Sequence, residues 1–145
     1  MFPLIRGFHM KQFVIHLEKA GLLSEIGKKL GKNNVQIISI AGTTAFGICT
    51  AILCTNNEKI TQEQLLELNI PFSTQDVLIA SLPNEPGAFG HFTQLLFDQG
   101  IDVMSFYALR FTANRADYAF SVHEADFEKA QAFLDASDFL TSAKE

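Results

Sequence analysis

The chain has 145 residues, of which 48% are apolar and 19% are charged, and its formal net charge at pH 7 is −5. This composition supplies enough apolar side chains for a core and excludes a disordered chain. The 11 Lys and Arg residues are scattered rather than grouped into a basic stripe, which argues against a nucleic-acid partner.

The first ten residues, MFPLIRGFHM, are hydrophobic but too short for a signal peptide, and Arg6 stands in the wrong place for one. The regular pattern of apolar residues begins at Met10. Residues 1–9 are therefore interpreted as an N-terminal extension.

The next segment predicts a strand over residues 11–17, followed by a helix that buries Leu23, Ile26 and Leu30 and ends at Asn33-Asn34. Residues 35–54 carry no charge and are long enough to cross a bilayer. They are rich in β-branched residues, however, and the turn signal AGTTAFG interrupts them. Two buried strands, 35–42 and 46–54, joined by a hairpin are favoured, and no membrane partner is expected.

A second helix, TQEQLLEL, is predicted next, with Thr61 and Gln64 at the spacing of a capping box. The segment IPFS near residue 71 reads as a short strand. It runs almost directly into another strand over residues 76–82.

The following helix has an apolar stripe of Phe89, Phe92 and Leu96 and ends at Gly100. Strands are predicted at 101–110 and 116–123. The last helix, ADFEKAQAFLD, is expected to be capped by Asp126, and residues 139–141 form a weak final strand. Its expected buried side chains are Phe127, Ala130 and either Phe133 or Leu134.

These elements repeat. Residues from Lys11 align without a gap on residues from Val77 at a shift of 66, so that Gly21 falls on Gly87. Each copy has the order β-α-β-β-α-β. The sequence therefore predicts an α+β protein of two ferredoxin-like repeats, 10–74 and 75–145, each an antiparallel sheet with helices on one face.

The second strand of each copy is apolar on both faces, with Ile38 and Met104 on the side opposite Ile37 and Val103. The helices of one repeat cover only one face of its sheet. The other face is expected to pack on the sister repeat or on a second subunit, which favours a homodimer.

The stretch PNEPGAFGHF joins a strand to a helix. Pro86 is expected in the first helical turn, where its missing N–H costs nothing, and Gly87 lets another group approach the backbone. The free N–H groups of that turn suit a carboxylate. Asp102, expected next to this loop, would accept from an ammonium group. The alternative is a plain strand-to-helix turn beside an exposed Asp.

No catalytic group, metal site or cofactor site is predicted. The histidines have no Cys or Asp at metal-ligand spacing; they are His9, His16, His91 and His123. Among them, His16 is expected to be partly buried and His91 exposed. The segment GAFG lacks the spacing of a dinucleotide loop, and Arg110 is placed at a strand end away from the Pro-Gly loop.

The two cysteines, Cys49 and Cys54, are five residues apart in one strand and so face opposite sides. They are expected to be buried free thiols. Free thiols are typical of a reducing, cytoplasmic location.

The segment NEPGAFGHFTQLLFDQGIDVMSF resembles the signature of the ACT domain, a small-molecule-sensing module of many amino-acid-pathway enzymes. That signature has Pro-Gly after a strand, then a helix, then Gly-Ile-Asn/Asp-Ile opening the second strand. The second copy follows it throughout, and the first copy follows it in outline, with Ala20-Gly21 and Val35-Gln36. The resemblance covers nearly the whole chain from Met10.

Serine-sensing ACT domains of phosphoglycerate dehydrogenases hold their ligand with a polar residue three before the motif glycine and with an Asn opening the second strand. The resemblance carries these positions, with the adjoining backbone, to Asn84, Gly87, Ala88 and Asp102 in the second copy and to Glu18, Gly21, Leu22 and Gln36 in the first. This chain departs from the family at Asp102 and Gln36, where the family has Asn.

The resemblance implies a non-catalytic regulatory protein that binds a small amino acid at a repeat or subunit interface. Its partner would be an enzyme of amino-acid metabolism, regulated through linkage. Two alternatives remain open at this point. One is a small ferredoxin-like enzyme, since that topology also hosts acylphosphatases and dimeric monooxygenases. The other is an oligomerisation or adaptor module without a ligand.

Overall fold

A computed structural model describes residues 10–19 and 21–139 of the chain. These residues belong to two compact units that divide between Gln75 and Asp76. Below, the first unit means Lys11–Gln75 and the second means Asp76–Phe139. The expected N-terminal extension and residues 140 and 141 of the expected last strand lie outside the described residues.

The elements follow the predicted order. They are β1 (Met10–Leu17), α1 (Leu22–Lys32), β2 (Ile37–Ala45), β3 (Ile48–Thr55), α2 (Glu58–Glu67), β4 (Phe72–Pro83), α3 (Ala88–Asp98), β5 (Val103–Phe111), β6 (Arg115–Val122) and α4 (Phe127–Asp135). A short 3-10 turn at Glu124–Asp126 precedes α4. The α+β class and the two βαββαβ-like repeats are confirmed.

In the first unit the strand order is β2-β3-β1-β4, and β3 pairs antiparallel with both β1 and β2. The core lies between this sheet and the two helices. It contains alternate residues of the strands, such as Phe13 and Leu53, together with Ile26 and Leu30 of α1 and Leu65 of α2. Both helices therefore cover the same face, as the sequence predicted.

The second unit repeats this design with the strand order β4-β6-β5. Its core is centred on Phe92, which is fully buried. The ring of Phe92 lies 5.7 Å from that of Phe120 and 4.9 Å from that of Phe139, centroid to centroid. The N–H of Ser81 donates to the carbonyl of Phe139 at 2.7 Å, so the chain after α4 returns to β4.

Two strands predicted separately, near residue 71 and over 76–82, form one continuous strand, Phe72–Pro83. No glycine or proline interrupts residues 72–82. Nothing in the sequence therefore breaks the strand between the two predicted segments.

The helix starts were predicted less well than the helix ends. The capping box at Thr61 is wrong, because α2 begins three residues earlier, where Asn57 Oδ1 accepts from the N–H of Ile60 at 3.0 Å. Thr61 is instead buried inside the helix, bonded to Thr55 Oγ1 at 2.7 Å. Asp126 does occupy the cap position of α4, but its side chain makes no cap bond.

The helix ends at Asn34 and Gly100 are confirmed by positive φ angles of 57° and 74°. The uncharged stretch over residues 35–54 forms the β2–β3 hairpin that the sequence predicted, with its turn at Phe46-Gly47. Within the described residues, no helix is long and apolar enough to cross a membrane.

One residue of the predicted core stripe of α3 is exposed. Phe89 is 46% exposed, although Phe92 and Leu96 of the same stripe are buried. On the second strands, Met104 is 51% exposed and Ile40 is 53% exposed. The sequence left one face of these strands to be covered by the sister repeat or by a second subunit.

Candidate functional site

The Pro-Gly motif forms a turn in front of α3. The N–H of Ala88 donates to the carbonyl of Glu85 at 3.3 Å, and Gly87 has φ 88° and ψ −14°. These features are those of a type II β-turn with Pro86 and Gly87 at its two central positions. The expectation that Pro86 lies in the first helical turn is therefore wrong. The fixed φ of proline suits the position before a left-handed glycine equally well.

Asn84 fastens this turn to the β5–β6 hairpin. Its backbone N–H donates to the carbonyl of Asn114 at 3.0 Å, and its side-chain Nδ2 donates to the carbonyl of Thr112 at 2.7 Å. The side chain of Asn84, which the resemblance assigned to a ligand, thus makes a hydrogen bond within the protein itself. Asn84 and Gly87 are exposed, and Ala88 is half-buried.

Asp102 is exposed and directly precedes β5, but it does not lie beside the Pro-Gly turn of its own unit. The strand register shows this. Pro83 pairs with Arg115 near the β5–β6 hairpin, whereas Val103, next to Asp102, pairs with Val122 at the other end. The 11-residue helix α3 separates the two groups by about 16 Å. The expected proximity within one repeat is wrong, because a βαβ crossover starts its second strand at the end opposite to its turn.

The first unit has the same separation. Glu18 follows Leu17, which pairs with Cys49, while Gln36 precedes Ile37 at the opposite end of the sheet. The N–H of Gln36 donates to Asn56 Oδ1 at 2.9 Å.

Around the helix start, Gly21 is exposed and has φ −59°, so no left-handed turn precedes α1. Leu22 packs against the core. The second unit is therefore the better-formed candidate.

The histidines at positions 16, 91 and 123, which the structure describes, form no metal or catalytic cluster. His16, expected to be partly buried, is exposed on β1, where its Nδ1 lies 3.5 Å from Thr50 Oγ1. His91 is exposed as predicted, and so is His123. No group of three or more metal-ligating side chains occurs among the described residues. Of the two free cysteines, Cys54 is buried and Cys49 is half-buried.

Sequence reasoning missed a buried ion pair in the second unit. Arg110 donates from Nε and Nη2 to Asp117 Oδ2 at 3.0 and 2.7 Å, and Asp117 is only 2% exposed. The only signal in the sequence was an Asp within the apolar strand RADYAFSV. Arg110 was expected to lie away from the Pro-Gly loop. It pairs with Asp117, and Asp117 pairs with Ser81 near the end of β4. Arg110 therefore lies toward the same end of the sheet as this loop. That expectation is wrong.

The Pro-Gly turn gives a first testable prediction. Gly87→Ala is expected to lower the free energy of unfolding by about 1–2 kcal/mol, because an L side chain disfavours the left-handed region. The cause is purely conformational, since a Cβ at this position would have no heavy atom within 4 Å. The matched control is Gly21→Ala at the equivalent position. There φ is negative, and we expect a neutral effect or about 0.5 kcal/mol of stabilisation. Equal effects of the two substitutions in urea titrations would contradict the assignment of the turn.

Comparison with known proteins supplies the family. A family model described as the ACT domain pair matches residues 8–144. The chain belongs to the ACT domain pair family. Its two units are thus two ACT domains, and the resemblance inferred from the second copy is confirmed for the chain as a whole. A search of curated proteins gives no match.

Solved structures agree on the fold. The protein BT0572 from Bacteroides thetaiotaomicron is 21% identical, with a TM-score of 0.73, and the alignment covers 86% of this chain and 87% of that one. The ligand-free regulatory subunit of aspartate kinase from Thermus thermophilus is 13% identical, with a TM-score of 0.59 and coverage of 88% and 89%. The corresponding subunit from Thermus flavus gives the same identity and TM-score, with coverage of 87% and 89%. At these identities the likeness concerns the fold of the ACT pair.

Proposed function

We propose that this ACT pair is a non-catalytic regulatory protein that binds a small amino acid in a site completed by a second copy of the chain. The observation that carries the proposal is the separation of the two predicted halves of the site. The Pro-Gly turn and Asp102 stand at opposite ends of α3. A ligand that uses both must therefore lie between two domains.

Pairing of two copies through β5 would bring these halves together. Within the second unit, β5 pairs with β6 and with no other strand. If β5 pairs antiparallel with β5 of a second copy, the start of one strand lies beside the end of the other. The end of β5 leads into the hairpin that holds Asn84. Asp102 of one copy then lies near the Pro-Gly turn of the other, and two-fold symmetry forms the site twice.

The surface at this edge is suited to such pairing. Large apolar side chains are exposed on α3 and β5, namely Phe89 (46%), Phe97 (71%), Val103 (36%), Met104 (51%) and Phe111 (60%). The ring of Phe89 lies 4.7 Å from that of Phe106, so the helix and the strand present one surface. Exposed apolar surface of this kind is typical of protein interfaces, which supports a homodimer.

The chemistry of the two halves is complementary to an amino acid. The N–H groups of the first turn of α3 suit a carboxylate, and Gly87 leaves them accessible because it has no side chain. Asp102 is exposed and suits an ammonium group, with which it would form a charge-assisted hydrogen bond. The acidic side chain in place of the family's Asn favours a ligand whose ammonium group, rather than its carboxylate, faces the strand.

Regulation would follow from linkage. A ligand that binds only the paired state of two copies shifts the equilibrium toward that state. A partner enzyme that binds the paired and unpaired states differently is then regulated by the ligand, with a coupling free energy of typically about 1–3 kcal/mol. Two of the structures that share this fold are regulatory subunits of aspartate kinase. They support an enzyme of amino-acid metabolism as the partner. The free thiols of Cys49 and Cys54 support a cytoplasmic location.

A thermal-shift screen against the twenty amino acids tests the proposal. An amino acid at a hundred times its dissociation constant adds about 2.7 kcal/mol of stability. At roughly 2–4 °C per kcal/mol, the melting temperature would rise by several degrees. Asp102→Ala should abolish the rise, because it removes the acceptor for the ammonium group. Asp135→Ala, which removes a charge that is also exposed, at the end of α4, should preserve it. A flat screen, or a rise that Asp102→Ala leaves unchanged, would contradict the proposal.

A further inference from the structure

Asn84 lies between β4 and the Pro-Gly turn, where the chain reverses sharply. The N–H of Glu85 donates to the carbonyl of Pro83 at 2.9 Å, which closes a three-residue γ-turn around Asn84. The type II turn that contains Gly87 follows directly, and α3 begins at Ala88. The orientation of Asn84 therefore fixes the direction in which α3 starts.

Two hydrogen bonds, named here the Asn84 tie, join Asn84 to the carbonyls of Thr112 and Asn114 in the β5–β6 hairpin. The hairpin keeps these carbonyls in place. The N–H of Thr112 donates to the carbonyl of Arg115 at 2.8 Å, and the N–H of Arg115 donates to Thr112 Oγ1 at 2.9 Å. The guanidinium of Arg115 donates to Ser81 Oγ at 3.0 Å and to the Ser81 carbonyl at 2.6 Å. The loop is thus closed on itself and fastened to β4, so the tie holds the turn against a fixed structure.

The first unit shows that this tie is not a general requirement of the fold. Glu18 stands where the second unit has Asn84, and no hydrogen bond joins it to the β2–β3 hairpin among the residues that the structure describes. That hairpin has a loop of two residues, 46 and 47, whereas the loop of the second unit has three, 112–114. The glycine before α1 has φ −59°, which is not a left-handed angle. The tie, the longer loop and the left-handed turn therefore occur together in the second unit.

We propose that Asn84 is a positioning residue, which fixes the first turn of α3 against the β5–β6 hairpin and does not itself contact the ligand. The inference rests on the proposed function, in which N–H groups of that turn bind a carboxylate. The Nδ2 of Asn84 donates to the carbonyl of Thr112 at 2.7 Å, which is short for an amide donor. The backbone N–H of Asn84 is bonded as well. Asn84 therefore acts on the ligand through the turn.

The tie also couples the ligand to the pairing of two copies. The hairpin continues β5, which is the strand that pairs with a second copy in the proposed function. A β5 strand that is held by its partner keeps the hairpin, and through Asn84 the turn, in one position. Binding of a carboxylate at α3 and pairing at β5 then favour each other.

Backbone order parameters of the protein without amino acid, measured by NMR relaxation, test the tie. In Asn84→Ala the order parameters of residues 85–90 should fall from about 0.85, typical of rigid backbone, to about 0.6. Thr112→Val should lower them in the same region, because it removes the Oγ1 that accepts from Arg115 and so loosens the loop that holds the tie. A side chain that only contacts a ligand has no such effect on the free protein.

The thermal-shift screen with the twenty amino acids gives the functional measurement. The amino acids that raise the melting temperature of the wild type should give about half of that rise in Asn84→Ala and in Thr112→Val. Such a reduction corresponds to an affinity that is about tenfold weaker, when the amino acid is present at about a hundred times its dissociation constant for the wild type.

Asn33→Ala is the matched control. It removes a hydrogen bond of the same kind, from Nδ2 to the carbonyl of Lys29 at 2.8 Å, from an exposed residue at the end of α1. It should leave both the order parameters of residues 85–90 and the rise in melting temperature unchanged. Equal effects of Asn33→Ala and Asn84→Ala would mean that the tie only stabilises the fold, and would overturn the proposal.

Two other outcomes also overturn the proposal. Unchanged order parameters in Asn84→Ala, together with a lost rise in melting temperature, would mean that Asn84 contacts the ligand directly. Lowered order parameters with a full rise would mean that binding does not depend on the position of the turn. A flat screen of the wild type contradicts the proposed function instead, and the order parameters then still decide whether Asn84 fixes the turn.

Discussion

Phe92→Ala is expected to lower the free energy of unfolding of the second unit by about 3–5 kcal/mol. Phe92 is 0% exposed and is surrounded by other aromatic side chains. Its ring lies within 6.3 Å of those of Phe106, Phe120, Phe133 and Phe139. These groups come from two strands, α4 and the chain beyond it, so they cannot collapse together into the space the ring leaves.

The measurement is a urea titration followed by tyrosine fluorescence. The chain has two tyrosines, Tyr107 and Tyr118, both in the second unit, so the signal reports on that unit. Phe89→Ala on the same helix is the control. Because Phe89 is 46% exposed, we expect a loss of only about 1 kcal/mol from its smaller buried area. Similar losses for the two substitutions would mean that Phe92 is not the centre of this core.

Arg110→Met is expected to destabilise the second unit by about 2–4 kcal/mol. The substitution leaves the Asp117 carboxylate without its ion partner in a site that is 2% exposed. Oδ1 of Asp117 already has no hydrogen-bond partner within the part of the chain that the structure describes. Because the Arg110 side chain is itself 37% exposed, water can partly replace it, which favours the lower half of the range.

The double variant Arg110→Met with Asp117→Leu separates the ion pair from the cost of an unpaired charge. Replacing both partners by apolar groups removes the buried carboxylate, and stability should return to within about 1 kcal/mol of the wild type. The same urea titration serves both variants. If the double variant were less stable than Arg110→Met alone, then the carboxylate itself, and not its lack of a partner, would matter for stability.

The repeated pattern of the sequence was enough to predict the fold. Apolar periodicity located the strands and helices, and residues that accept positive φ located the ends of α1 and α3. The start of α2 was missed because two polar residues, Asn57 and Thr61, each had a plausible capping role. Only the bond from Ile60 to Asn57 decides between them.

The sequence predicted individual residues of the candidate site but not their arrangement in space. The Pro-Gly turn was evident from residue types, but its relation to Asp102 depends on the direction in which α3 crosses the sheet. The Arg110–Asp117 pair depends on an irregularity in the β5–β6 register between Ala108 and Arg110. A β-bulge of this kind shifts which side chains face each other, and composition does not reveal it.

The continuous strand Phe72–Pro83 has a consequence for how the chain can be divided. The boundary between the two units falls inside this strand, and Gln75 and Asp76 on either side of it are half-buried. Proteases cut exposed loops, and gene truncations succeed at flexible linkers. The boundary between the two units is neither an exposed loop nor a flexible linker. Limited proteolysis should therefore spare the junction, and a truncated gene that ends there would release a half with an interrupted strand at its terminus.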